Sequence, residues 1–343
     1  MNMKKFFGVL ASVAAIGAAV ATALPASAET TLRVSNWLPP SHPIVRDILT
    51  PWGEQVSEAT DGRVTVEIMT SPIGKPPAQF DLVRSGAADV GYGVHGYTPG
   101  RFKLTPIVEG PFLSDSAEAL SVAYWRVQEA MLDTADEHNG VKLLTVFTHG
   151  PGMIYTTDTP VASVADLSGL KMRIGGGIVA KIADRLGMVG VQAPSPQVYE
   201  ILANGVADGI LFPAESVPFF RIDEVVRNGV SVPGGLYNTS FFVVMNRRTW
   251  DGLSEEDKAA IDSVSGEAMA RLAGQAWDAA DAAGTEVMTD KGVALSQADA
   301  AMTAALEEKL AGIEQGFIDA AAKSDIDGAA ALEMLRAEIA KAQ

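Results

Sequence analysis

The chain has no cysteine. Disulfides, thiolate metal sites, cysteine catalysis and a lipid anchor on a mature N-terminal cysteine are therefore excluded. Histidine is scarce, with four in 343 residues, and His42, His95, His138 and His149 show no H-E-x-x-H or other metal spacing. Positive charge is short as well: 26 Lys and Arg stand against 42 Asp and Glu, a formal charge of −16. Nucleic acids and anionic lipid surfaces both demand a basic face, so neither is an expected partner. After residue 28 no apolar run is long enough to span a bilayer. No G-x-S-x-G elbow occurs, and no serine has a nearby base in a recognisable arrangement. No catalytic residue, metal site or cofactor is expected.

The first 28 residues are a different kind of sequence. Lys4 and Lys5 precede an apolar stretch over 6–24, and Ala26, Ser27 and Ala28 form a small-residue cleavage pattern. This reads as a secretory signal removed after Ala28. Its loss takes away two lysines, so the formal charge goes from −16 to −18. A secreted chain without disulfides must hold itself by its apolar cores, and this length supports two lobes. The acidic balance does not exclude an anionic ligand, because one desolvated arginine in a cleft outweighs distant, screened surface charges.

Along the chain, residues 31–37 read as a strand that stops at the loop Leu38, Pro39, Pro40, Ser41, His42, Pro43. Helical spacing over 44–59, a strand over 64–69, a helix over 80–85 and a strand over 88–92 give β-α-β-α-β, the opening of a doubly wound lobe. Residues 114–139 read as helix and 141–148 as a strand running into His149, Gly150, Pro151 and Gly152, where the chain is expected to cross to a second lobe. That lobe extends to about Pro233, and a strong strand over 237–246 returns to the first. From 254 to 341 the pattern is almost entirely Ala-rich amphipathic helix. The expected division is 29–150 with 234–275 for the first lobe and 151–233 with 276–343 for the second.

Residues 160–215 carry the most information. They read as two strand–helix units, and at the end of the first strand stands Arg173. In open α/β sheets ligands bind outside the carboxyl ends of strands, and a guanidinium fork suits a two-oxygen carboxylate. Gly175, Gly177 and Ala180 satisfy G-x-G-x-x-A, but no acid closes the next strand to hold a ribose. The glycines instead let the backbone approach a small ligand or the opposite lobe. His42, His95 and His149 fall in loops after strands, as do the aromatics Trp37, Tyr92, Tyr97, Tyr155, Phe212 and Tyr237, an arrangement that fits an aromatic-walled pocket with a few polar anchors.

The motifs Pro160-Val161, Asp166 through Arg173, Leu186-Gly187, Tyr199-Glu200 and Gly205 through Gly209 resemble the signature of substrate-binding proteins of tripartite ATP-independent periplasmic (TRAP) transporters, the C4-dicarboxylate-binding-like family. Gly62-Arg63-Val64, Gly86 through Asp89, Met245 through Trp250 and Leu253-Ser254 also match its pattern, so the likeness covers essentially the whole mature chain. The resemblance implies an α/β fold of two lobes, each a mixed sheet flanked by helices. Crossover strands and a long helix would join the lobes, which close on one ligand. It also implies a periplasmic location and membrane permease subunits as partners. The family's carboxylate-pairing arginine matches Arg173. Where many members carry a second arginine after the first crossing, this chain has His149 through Met153, and Phe212 with Glu215 stands where a polar residue is common. Both departures point away from sialic acid and simple C4-dicarboxylates, toward one carboxylate on an apolar or aromatic body.

The expected site is then Arg173 for the carboxylate, with Trp37, Tyr92, Phe212 and Tyr237 as walls and His95, His149, Glu215 and Asn238 as polar readers. Two alternatives stay open. A zwitterion such as ectoine, or a small amine, would be answered by Glu215; a secreted enzyme would turn its ligand over.

Overall fold

The computed structural model describes residues 30–342, so the expected signal segment lies outside the described residues. Four strands open the first lobe: β1 (Thr30–Ser35), β2 (Val64–Ile68), β3 (Val90–Val94) and β4 (Val141–Thr148). Five follow in the second: β5 (Met153–Thr156), β6 (Lys171–Ile174), β7 (Val189–Gln192), β8 (Gly209–Phe212) and β9 (Asn228–Ser231). The chain then returns to the first lobe with β10 (Ser240–Asn246) and to the second with β11 (Ala294–Gln297).

Both sheets are mixed. The first has the order β2-β1-β3-β10-β4, parallel from β2 to β3, with β10 antiparallel to both neighbours. The second has the order β11-β9-β5-β8-β6-β7, with β5 antiparallel to β8 and β9. Sequence explains the central positions. Strand β10, Ser-Phe-Phe-Val-Val-Met-Asn, is buried along its whole length, as a strand covered on both faces must be.

The crossings pair with each other. Gly152 N donates to Tyr237 O at 2.9 Å, Leu236 N to Gly152 O at 3.0 Å and His149 N to Thr239 O at 3.3 Å, so 149–152 and 236–239 run side by side between the lobes. Gly152 is required there: a Cβ would stand 2.1 Å from the Tyr237 ring. The helix Gly266–Asp290 spans both lobes, 25 residues and about 37 Å at 1.5 Å per residue. Two glycines set its seats. A Cβ on Gly274 would meet Glu118 Cα at 2.3 Å in the first lobe, and one on Gly284 would meet Ala214 O at 2.5 Å in the second.

Three expectations are corrected. The final helices, Gln315–Ala322 and Gly328–Ala342, do not belong with the second lobe. Phe317, Leu332, Leu335 and Ile339 bury with Leu120, Tyr124 and Val127 of the helix Ala117–Val127, because that helix offers a second apolar face. The continuous helix expected over 114–139 is Ala117–Val127, capped by the Ser116 side chain, followed by a wide turn at Gln128–Leu132 and a short turn at Asp133–Ala135. The nearly all-helical tail also contains β11, four residues that add in parallel to β9 at the sheet edge.

Candidate functional site

Strand β6 buries Met172, Arg173 and Ile174 and leaves Lys171 exposed. Arg173 is 2 % exposed. Its Nε and Nη2 donate to the Ala193 carbonyl at 2.9 and 2.5 Å, just beyond the end of the neighbouring β7. The guanidinium lies over the Phe212 ring, 4.8 Å from its centroid. Among the described residues no carboxylate forms an ion pair with it. A buried charge without a counter-charge is expensive to hold, and an anion entering beside it removes that penalty.

Arg173 opens onto a cavity between the lobes. Trp37, His42, Tyr97 and Phe241 line it from the first lobe, Phe212, Ser195 and Phe220 from the second, His149 and Tyr237 from the crossings, and Trp277 from the long helix. A chain of rings leads inward from the arginine: Phe212 stacks on Phe220 at 5.8 Å, and Phe220 lies 6.0 Å from His42.

The lobes meet over this cavity. Ser195 N donates to the Tyr97 hydroxyl at 2.9 Å, and Tyr97 packs edge-on against Trp37 at 6.1 Å. The glycines after β6 lie against Gly96: a Cβ on Gly176 (φ +98) would stand 2.5 Å from Gly96 O, and one on Gly96 would stand 3.0 Å from Gly177 N. Their backbone therefore serves the approach of the opposite lobe. Glu109 bridges the lobes nearby, accepting from Ser240 Oγ at 2.6 Å in β10 and from Ile178 N at 3.4 Å in the second lobe. Burial raises the pKa of this carboxyl.

Five of the nine expected residues line the cavity: Arg173, Trp37, His149, Phe212 and Tyr237. The other four do not, each for a visible reason. Tyr92 stacks behind Trp37 at 5.5 Å and donates its hydroxyl to Asn36 Oδ1 at 2.6 Å. His95 is buried in the first lobe, where its ring nitrogens meet Ser240 Oγ at 2.9 Å and His138 Nε2 at 3.0 Å. Asn238 holds the crossing. In the orientation its neighbours dictate, its amide donates to His149 O at 2.6 Å and Gly150 O at 2.9 Å. Glu215 stands behind the wall, with Oε2 accepting from Ser216 Oγ at 2.6 Å and Oε1 3.7 Å from His42 Nε2. Tyr155 turns into the second-lobe core and donates to Met153 Sδ.

The histidines at the cavity are held neutral. Burial, with a contribution from Arg46, pushes the His42 pKa down to about 3. Burial and the nearby Arg173 push His149 down to about 4 against the raising effect of the Gly150 carbonyl. Burial takes the Glu215 carboxyl up to about 7. Sequence reasoning missed Trp277, Ser195, Phe220 and Glu109. Trp277 and Phe220 have no signal distinct from core spacing, and Glu109 closes a single short turn of helix, Pro106–Glu109, with no motif around it.

A model of the DctP family, bacterial extracellular solute-binding protein family 7, matches residues 34–319. The chain belongs to this family. A TRAP solute-binding protein from Bordetella bronchiseptica with bound (R)- and (S)-mandelate is 44% identical, with a TM-score of 0.90, covering 92% of this chain and 100% of that one. A marine metagenome TRAP protein described as specific for aromatic acids, in complex with 3-hydroxybenzoate, is 34% identical, with a TM-score of 0.86, covering 92% and 99%. One from Rhodoferax ferrireducens with copurified benzoate is 29% identical, with a TM-score of 0.85, covering 91% and 98%. As a TRAP solute-binding protein, the chain works in transport: the family is periplasmic and takes small organic acids to TRAP permeases.

Proposed function

We propose that this TRAP solute-binding protein captures an aromatic monocarboxylate, with Arg173 gripping the carboxylate and the ring lying among Trp37, Phe212, Phe220 and Tyr237. The observation that carries the reading is the arginine itself: 2 % exposed, stacked on Phe212, at the wall of an apolar cavity, with no acidic partner among the described residues. Two of its donors are already spent on Ala193 O, which fixes the guanidinium plane and leaves the remaining N–H groups for one carboxylate. The ligands of the three similar structures are all aryl monocarboxylates, which supports the same choice.

Residues 1–28 then act as the export signal cut after Ala28, and the loaded protein docks on the membrane permease subunits of its own transporter. The zwitterion reading needs Glu215 at the ligand; its position behind His42 works against it. Titration calorimetry with mandelate, benzoate and 3-hydroxybenzoate, set against succinate and ectoine, tests the proposal. Aryl acids are expected to bind. Binding of succinate or ectoine alone overturns the reading, and recovery of an altered product overturns simple capture. N-terminal sequencing of the exported protein tests the cleavage point.

A further inference from the structure

The inner wall of the cavity carries hydrogen-bonding capacity that the described protein leaves unused. Trp277 lines the cavity and is 2 % exposed, yet its Nε1 is buried without an acceptor. His149 lines the same wall, its ring 5.9 Å from that of Trp277. The His149 Nδ1 is engaged with the Gly150 carbonyl, so it carries the proton. A neutral imidazole that donates from Nδ1 presents a lone pair at Nε2. The His42 ring lies 6.2 Å from that of Trp277. Its Nδ1 accepts the Ile44 N–H at 3.1 Å, which puts the His42 proton on Nε2. That proton faces Glu215 Oε1, a buried oxygen without a hydrogen-bond partner, across 3.7 Å.

An unused donor at Trp277 beside an unused acceptor at His149 is the complement of a hydroxyl group, which accepts through oxygen and donates its hydrogen. A carboxylate has no hydrogen to give and would oppose the His149 lone pair. A plain C–H edge would leave both polar atoms buried and unpaired. We propose that Trp277 and His149 form a hydroxyl-reading subsite, so that the ligand is an aromatic hydroxy acid. This rests on the reading of Arg173 as the carboxylate anchor. Arg173 sets one end of the ligand, the rings of Phe212 and Phe220 cover its body, and the Trp277–His149 pair reads the second oxygen. Sites built around a substrate hydroxyl reject the analogue lacking it far more strongly than apolar pockets reject a missing methylene.

The test is calorimetry of the mature protein with two matched pairs, mandelate against phenylacetate and 3-hydroxybenzoate against benzoate. The pairs separate an α-hydroxyl from a ring hydroxyl. In at least one pair the hydroxylated acid is expected to bind about tenfold tighter or more, and Trp277→Phe and His149→Phe are each expected to shrink that ratio to within about threefold. A merely structural role would weaken both members of a pair together and keep the ratio, which overturns the assignment. Equal affinities within both pairs for the unaltered protein overturn the subsite while leaving the aryl-acid reading intact. No binding of any aryl acid removes both. Should the variants fail to fold, indole N–H spectra of ¹⁵N-tryptophan protein decide. One of the five tryptophan signals is expected to move with the hydroxylated acid and not with its partner, and the lack of such a difference overturns the proposal.

Discussion

Tyr97 in the first lobe accepts a hydrogen bond from the backbone N–H of Ser195 in the second, at 2.9 Å, over the mouth of the cavity that Arg173 lines. Ser195 follows Ala193 by two residues, and Ala193 is the carbonyl on which the arginine rests. One short segment therefore fixes the guanidinium and fastens the lobes together. A ligand that draws the arginine and the aromatic walls together favours the same arrangement, and a ligand shifts a conformational equilibrium only through such differential contacts.

Tyr97→Phe removes this bond and leaves the Ser195 N–H without its acceptor. About 1 kcal/mol, or fivefold in affinity, is the expected loss. Because the bond joins two lobes, the ligand-free melting temperature should hardly move. Calorimetry alongside a thermal melt checks both, and an unchanged affinity would show that the bond plays no part in capture.

Arg173→Ala should weaken aryl-acid binding by roughly 2–5 kcal/mol. Arg173→Lys should recover little, since a point charge does not reproduce the fork that both rests on Ala193 O and grips two oxygens. The ligand-free protein is not expected to lose comparable stability, because the substitution also relieves a buried charge that no acidic side chain among the described residues neutralises. Affinity measured by calorimetry and stability by urea titration separate the two effects. A variant that binds as well as the parent would take Arg173 out of the site.

Much of this architecture was readable in the chain, for physical reasons that differ by residue. Arg173 stood out as a candidate because it lies near a strand's carboxyl end, where open α/β sheets take their ligands. The crossing near 150 was legible from its glycines and proline, and the structure shows Gly152 making room for the Tyr237 ring. Trp277 was invisible: within an Ala-rich amphipathic helix it has the spacing of any core residue, and only the helix's position between lobes turns that face toward the cavity. Tyr92 and His95 were misplaced because a strand's end locates the backbone and not the direction of the side chain. One lies behind Trp37, the other joins His138. Strand β11 escaped notice because four mixed residues at a sheet edge show neither alternation nor an apolar run.

The pH dependence of stability has two opposed parts. His42 is pushed down to about 3 and His138 and His149 to about 4, all chiefly by burial, against about 6.5 in an unfolded chain. Their neutral forms support the fold fully above pH 6.5, and that support drains away as pH falls through 4 and, for His42, through 3, by roughly 3–5 kcal/mol for each. Glu215 works in the other direction. Its carboxyl is raised by burial to about 7 from 4.5, so its contribution is complete below pH 4.5 and is lost as pH rises through 7. Glu215→Gln should therefore gain on the parent protein by up to about 3 kcal/mol at pH 8, with the advantage fading toward pH 4.5. Denaturant midpoints collected across that range test this, and a difference that does not vary with pH would contradict it.

Gly96→Ala probes whether the lobes must come this close for binding. The new methyl would stand 3.0 Å from Gly177 N and 3.1 Å from the Gly176 carbonyl carbon, both backbone atoms of the opposite lobe. Neither flexible side chains nor rotamer changes relieve such a contact, so the lobes have to part slightly. Within its own lobe the substitution meets no comparable obstacle. The strain, about 1–3 kcal/mol for a forced methyl, should therefore fall on the bound form and appear as a loss of affinity of roughly five- to 150-fold. The ligand-free protein should melt within a degree or two of the parent. Small-angle scattering with saturating ligand should then show a more open envelope for the variant. If affinity and envelope both match the parent, the contact between Gly96 and the Gly176–Gly177 turn is incidental to capture.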